Sequence, residues 1–307
     1  MSNKSERVIK INKVKIITDS CSDLTGELLE RYDIDYAQMN TIRDGKETKA
    51  SLLWEYYTPQ ELYNAIRNGE RILTTQVPFE EFNRIFTKYL DEGFDIVYIG
   101  CSLKQSGSVN TGAVAAKNIL EKYSDHEIYC IDSKNASLGE GMLAIRASEL
   151  AAQGMSAKEI ADEINAQLKN VQEFVTVNTL EYLHRAGRVK GSAAFFGNLM
   201  GIRPILIADV NGYQTPIRKV KGRANSLSET VRMIKEVIRD PENQTIYIAH
   251  ADCSKEEIEQ YEKTVREQIP CKDIYTCYIG PIIGASVGPD AIGIWCFGEP
   301  VTYEFKE

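Results

Sequence analysis

Short apolar runs alternate with longer stretches that are apolar at every third or fourth position, and this pattern fills the first half of the chain. Residues 14–18 (Val-Lys-Ile-Ile-Thr) read as a strand. Leu24, Leu28, Leu29 and Tyr32 then recur at helical spacing, with Ser22 or Asp23 placed to cap that helix. A second strand is expected over 34–39 and a turn at Asp44-Gly45. Thr58-Pro59-Gln60-Glu61 has the form of a capping box with proline at the first helical position, and its helix should end at Gly69. Thr74-Thr75-Gln76 reads as a polar loop before a helix over about 78–92 that stops at Gly93. The run 94–99 is apolar nearly throughout, as in an interior parallel strand. Another strand is expected at 127–131, then a helix to about 153. Strand, loop and helix repeated in this way predict a parallel-sheet α/β domain, with its functional loops at the strands' carboxyl ends. Those loops are 18–23, 74–76, 100–107 and 132–137.

The second half changes character. Ser156-x-x-Glu159 is a further capping box, and the domain change is placed before it. Strands at 203–208 and 213–220 flank Asn211-Gly212, a strong hairpin signal. Helices are expected near 223–239 and 254–268, with strands near 244–249, 272–279, 291–297 and 300–305. The fold class is therefore α/β with two domains. Residues 1–155 would form an α/β/α domain with a parallel sheet, and 156–307 an α+β domain with a mixed sheet.

Composition narrows the function classes. The 307 residues carry a net charge of −8, which argues against nucleic acid as a partner. No apolar run reaches the roughly 18 residues of a membrane span, and the start lacks the apolar core of a signal peptide. The seven cysteines show no C-x-x-C and the three histidines lie far apart, so no metal site is expected and the thiols read as reduced and cytoplasmic.

The segment 280–293 (Gly-Pro-Ile-Ile-Gly-Ala-Ser-Val-Gly-Pro-Asp-Ala-Ile-Gly) is the most distinctive. Its glycines and prolines predict a tight loop of exposed N–H groups around Ser286, suited to an anion. Gly284-Ala285-Ser286-Val287-Gly288 also matches G-x-S-x-G, the nucleophile elbow of serine hydrolases. That fold places its base after the serine, whereas His126, His184 and His250 all precede it. Asp19 reads as a loop-capping residue rather than a nucleophile. The loop 100–107 fits an anion better than a nucleotide, having neither G-x-G-x-x-G nor a Walker pattern. His250-Ala-Asp-Cys253 reads as packing. Two short basic stretches, 181–191 and 218–223, are surface or a partner patch. Hydroxyls, glycines and backbone donors without a base, metal or nucleotide motif favour binding over catalysis.

Taken together these residues resemble the DegV family. Thr18-Asp-Ser-Cys-Ser-Asp-Leu24 is similar to its T-D-S-x-x-D-L opening, Thr74-Thr75-Gln76 to T-S-Q, and 102–108 to S-S-x-L-S-G-T. Residues 131–139 are similar to I-D-S-K-x-A-S-L-G, and further matches fall at 179–188, 202–205 and 279–285. The resemblance runs in order across nearly the whole chain. It implies two α/β domains that enclose one long-chain fatty acid and present its carboxylate to a separate fatty acid kinase, feeding phospholipid synthesis, with no catalytic residue or cofactor in the carrier. Transient membrane contact would accompany such a role. Thr74, Thr75, Ser102 and Ser286 are the implied carboxylate-binding residues. Asp19, Ser20, Ser106, Gly107 and Gly284 would support their loops, and Arg188, Lys221 and Arg223 would form the partner surface. Burying about 16 carbons is worth roughly 12 kcal/mol gross, from which immobilisation takes back several. Phe195, Phe196 and Leu199 read as core packing first and as tunnel-wall candidates second. The chain departs from the family pattern at Ser286, where histidine is usual, and at Leu103, Gln105 and Asp290. A serine hydrolase built on Ser286, or a binding protein for another small anion, are the alternatives.

Overall fold

The computed structural model describes residues 13–191 and 201–306. Phe195, Phe196 and Leu199 lie outside the described residues. Strands β1 (Lys13–Asp19), β2 (Ile34–Ala37), β6 (Phe94–Gly100) and β7 (Ile128–Asp132) form a parallel sheet in the order β2-β1-β6-β7. The interior strand β6 is buried along nearly its whole length, which is why its sequence shows no alternation. Helices α3 (Phe79–Asp91) and α4 (Ser108–Leu120) pack together over β6 and β7, sharing Phe82, Phe86 and Tyr98. Helices α5 (Leu138–Ala152) and α6 (Ala157–Gln167) pack against this sheet in a separate apolar cluster.

A mixed sheet forms the second layer, in the order β10-β9-β8-β13-β11-β12. Its strands are β8 (Val171–Thr176), β9 (Ile202–Ala208), β10 (Gln214–Lys221), β11 (Thr245–His250), β12 (Asp273–Tyr278) and β13 (Ile292–Phe297). All neighbours are antiparallel except β11 and β12. Helices α8 (Arg223–Val237) and α9 (Lys255–Gln268) share an apolar cluster with this sheet. Its other face meets α5, so that helix has a sheet on both sides and buries ten residues around its circumference. The mixed α/β architecture expected from the sequence is thus present.

The domain change expected between 155 and 156 falls before α6, yet α6 packs on β6 and β7; the mixed sheet begins at Val171. A small antiparallel sheet of β3 (Asn40–Arg43), β4 (Lys46–Lys49) and β5 (Leu73–Thr75) stands beside the first layer. Here Thr74 and Thr75 differ from the expected loop: they pair with Thr41 and Asn40 as strand. Helix α2 (Pro59–Arg67) carries the reciprocal capping box of Thr58 and Glu61, and α6 that of Ser156 and Glu159, as their sequences require. The first helix, α1 (Gly26–Arg31), is capped by Thr25, not by Ser22 or Asp23. No strand forms at 300–305. The tail instead bonds across two loops, Val301 N–H to the Lys169 carbonyl at 2.7 Å and the Phe305 N–H to Asp209 Oδ2 at 3.1 Å.

The largest correction concerns 280–293. Residues Pro281–Val287 form a helix, α10, between the two layers. Pro281 takes the first-turn position, where no N–H is needed, and Gly288 closes the helix at φ 77°. The N–H groups expected to form an anion loop are largely engaged, those of Gly284 and Gly288 donating to the carbonyls four residues earlier at 2.8 and 2.9 Å.

Candidate functional site

The loops after β1, β6 and β7 are locked to one another by buried side chains. Asp19 accepts from Cys21 N–H at 2.9 Å, Tyr98 O–H at 2.7 Å and Cys101 N–H at 3.2 Å. Ser20 Oγ donates to the Ala50 carbonyl at 2.7 Å and accepts from Met39 N–H at 3.0 Å, joining the first loop to the segments around β3 and β4. Burial pushes Asp19 up, against the hydrogen bonds that favour its charge. Burial, and then Asp19 beside it, push Glu140 of α5 well up.

These loops face α10, β8, β10 and β13 across a cavity that, with the solvent space at its open side, encloses about 910 Å³. Much of its wall is apolar: Val175, Leu183, Leu206, Ile279, Ile282 and Val287 among others. Thr74, Thr75, Ser106, Gly107, Ser137 and Ser286 supply hydroxyls and backbone to the same wall. Thr75 Oγ1 is buried with no hydrogen-bond partner, an unsatisfied donor in the lining. The Gln76 amide folds over Gly107, its Oε1 2.2 Å from where a Cβ would lie. Gln76 in turn donates to Thr111 Oγ1 at 2.7 Å. Ser106 and Ser108 share a 2.9 Å hydrogen bond at the start of α4.

Two of the expected assignments fail here. Ser102 is fully buried outside the lining; its hydroxyl donates to the Gly212 carbonyl at 2.8 Å and ties the β6 loop to the β9–β10 turn. Arg223 forms a forked ion pair with Glu257 at 2.8 and 2.7 Å, between α8 and α9, so it is an internal brace rather than an open partner surface. Lys221 is exposed at the end of β10. Arg188 was expected only at the surface, but it lines the cavity. It follows α7 (Glu181–Ala186) and the left-handed Gly187, and its Nε donates to the Gln105 carbonyl at 2.9 Å. The Gly-Arg pair after a short helix was the sequence signal for this position.

Thr74, Arg188 and Ser286 line both this cavity and an outer cleft that also holds Arg71, Arg185 and Tyr182. They therefore mark the mouth. Ser286 lies in the last turn of α10, its Oγ directed at the Ile282 carbonyl at 3.4 Å. That helical setting is not a strand-to-helix elbow, and no histidine is among the residues described as lining the cavity. His250 packs tilted against Tyr278, ring centroids 4.4 Å apart, and burial lowers it to about 4. Among the described residues no group of three or more His, Cys, Asp or Glu is arranged to hold a metal. No helix among them is long and apolar enough to cross a membrane.

Two residues of the lining, Glu173 and Gln214, were missed by sequence reading. Gly284 gives α10 room against α2, where Tyr63 O–H donates to the Ile279 carbonyl at 2.6 Å. Glu173 and Gln214 lie in the lining as alternate positions of strands, with no local motif to announce them; burial pushes Glu173 up to about 7. Asp290, where the family pattern has glycine, keeps the left-handed backbone at φ 62° and accepts from Arg67 and Asn178 at 2.8 Å each.

Asp23 joins the layers by accepting from Ser137 O–H and, at 2.8 Å, from Gly280 N–H, and burial pushes it up to about 7. The folded chain then keeps a proton that the unfolded chain releases near pH 4. Asp23's contribution to stability is full below that point and is lost as pH rises towards 7. Asp23→Asn should remove this slope, gaining on the order of 2–3 kcal/mol relative to wild type between pH 5 and pH 8. Urea unfolding at the two pH values checks this; parallel slopes in both proteins would contradict it.

The model of the DegV family, described as uncharacterised proteins, matches residues 13–299. A DegV domain-containing protein of Clostridium perfringens is 33% identical over 94% of this chain and 99% of its own. A solved Thermotoga maritima protein, described as revealing a fatty acid binding function, is 26% identical, covers 94% of this chain and 99% of its own, and superposes with a TM-score of 0.79. The Bacillus subtilis DegV protein, described as a fatty acid binding protein, is 25% identical with the same coverage and a TM-score of 0.79.

Proposed function

This chain belongs to the DegV family, and on that premise we propose that it carries one long-chain fatty acid in the cavity between its two layers. The observation that supports this is an apolar interior whose mouth holds Thr74, Ser286 and the Arg188 guanidinium, with Thr75 Oγ1 unpartnered nearby. The acyl chain takes the apolar wall, and a carboxylate at the mouth receives hydroxyl and guanidinium donors, the arrangement a partly desolvated anion requires. Arg188 supplies the positive charge that a histidine at position 286 would have supplied. The protein acts as a carrier without a catalytic step of its own, in the cytoplasm. The carboxylate at the mouth is presented to a fatty acid kinase, whose product enters phospholipid synthesis, and Lys221 belongs to the surface that receives the kinase.

Titration of the delipidated protein with palmitate, and with hexadecanol as its uncharged counterpart, tests the reading. Palmitate should bind one to one and at least about tenfold more tightly than the alcohol, the size of one charge-assisted contact. Equal affinity would remove the carboxylate from the mouth, and no binding of either would remove the carrier function.

A further inference from the structure

The inner part of the cavity holds a polar group for which a plain acyl chain has no use. Glu173 on β8 is only 3% exposed and lines the cavity. Gln214 Nε2 donates to its Oε1 at 2.6 Å, and Trp295 Nε1 to its Oε2 at 3.0 Å. Both donors line the cavity too, and none of the three reaches the outer cleft that Thr74, Arg188 and Ser286 share. The two donors come from different strands and hold the carboxyl group in place. Gly293 leaves room for the Trp295 ring, since a Cβ there would lie 2.2 Å from it.

A carboxyl group offers about four acceptor sites, and two are filled. An alkyl chain laid over it leaves the others dry and unpaired, which is unfavourable. A hydroxyl on that chain donates to the ionised group and accepts from the protonated one, so it is matched in either state. The carboxyl group needs no reordering to receive it, which favours binding.

We propose that Glu173, Gln214 and Trp295 form a subsite that selects a long-chain fatty acid bearing a hydroxyl along its chain over the unsubstituted acid of the same length. This rests on the fatty acid reading above and names the class of acid within it.

The test titrates the delipidated full-length protein with stearate and with hydroxystearates that differ only in the hydroxyl's position. One positional isomer should bind at least about tenfold more tightly than stearate. Glu173→Leu removes the acceptor that a ligand hydroxyl would donate to and should cut that preference to a few-fold or less. Should Glu173→Leu fail to fold, Glu173→Gln keeps the shape and one acceptor while leaving one of its two fixed donors unmatched; it should cut the preference to a few-fold. The proposal is overturned if stearate binds as tightly as every isomer, or if the folded variants keep the wild-type preference. A protein that binds none of these acids overturns the carrier reading itself, an outcome distinct from binding without preference.

Discussion

Arg188→Ala should weaken fatty acid binding by about tenfold or more while leaving the cavity's apolar wall in place. Arg188 is exposed at the mouth and lines both the inner cavity and the outer cleft. Its Nε donates to Gln105 and its Nη1 to Ala186, so the guanidinium is held in one orientation rather than swinging in solvent. A charge-assisted hydrogen bond contributes about 1.5–3 kcal/mol, and exposure to water brings the expectation to the lower end. Arg188→Lys keeps the charge but loses the planar fork, and its loss should lie between wild type and alanine. Arg185 lies in the outer cleft alone, its guanidinium 5.1 Å from the Tyr182 ring, so Arg185→Ala serves as the control and should change affinity little. Titration with palmitate reads all three. Wild-type affinity in Arg188→Ala would put the carboxylate elsewhere.

The second large effect is on stability. Gly284→Leu should lower it by about 2–4 kcal/mol, and Ser286→Ala, two residues on, by less than about 0.5 kcal/mol. Even a Cβ at Gly284 would stand 2.5 Å from Tyr63 Oη. Tyr63 is fully buried in α2 and donates to the Ile279 carbonyl, so it cannot withdraw without leaving both groups unpaired. Either α10 shifts off α2 or Tyr63 loses its bond, and Ile282, Ile283 and Val287 leave the cavity wall with the helix. Ser286 has a single long bond of 3.4 Å to lose. Chemical denaturation measures both variants, and equal stability in the two would contradict this account of the G-x-S-x-G segment.

That segment also shows where sequence reading ends. Local rules carry far where a residue's neighbours in sequence are its neighbours in space. Thr58 with Glu61, and Ser156 with Glu159, form the caps their spacing demands, and Asn211-Gly212 turns the hairpin between β9 and β10. Residues 280–288 were misread because their glycines look like turn residues. Gly284 is glycine for the room it leaves beside a tyrosine more than two hundred residues away, and Pro281 opens a helix. Thr74 and Thr75 have β-branched side chains in a polar stretch, and the strand partner that orders them, β3, carries no local sign. The tail at 300–305 fails for the same reason, its hydrogen bonds going to loops. At the site, Thr74, Thr75, Ser106, Gly107 and Ser286 are brought to one wall. Ser102 is drawn off by the Gly212 carbonyl, and Arg223 by Glu257. Glu173, by contrast, sits in a strand of mixed polarity between Gln172 and Phe174, and only the folded sheet shows that Gln214 and Trp295 converge on it.

Native mass spectrometry of the protein as purified, followed by solvent extraction and lipid analysis, tests the carrier function most directly. The account predicts a stoichiometric mass excess that extracts as a long-chain fatty acid, with any excess of hydroxylated species reduced in Glu173→Leu. A protein that is empty as purified and takes up neither palmitate nor oleate when they are added would contradict it.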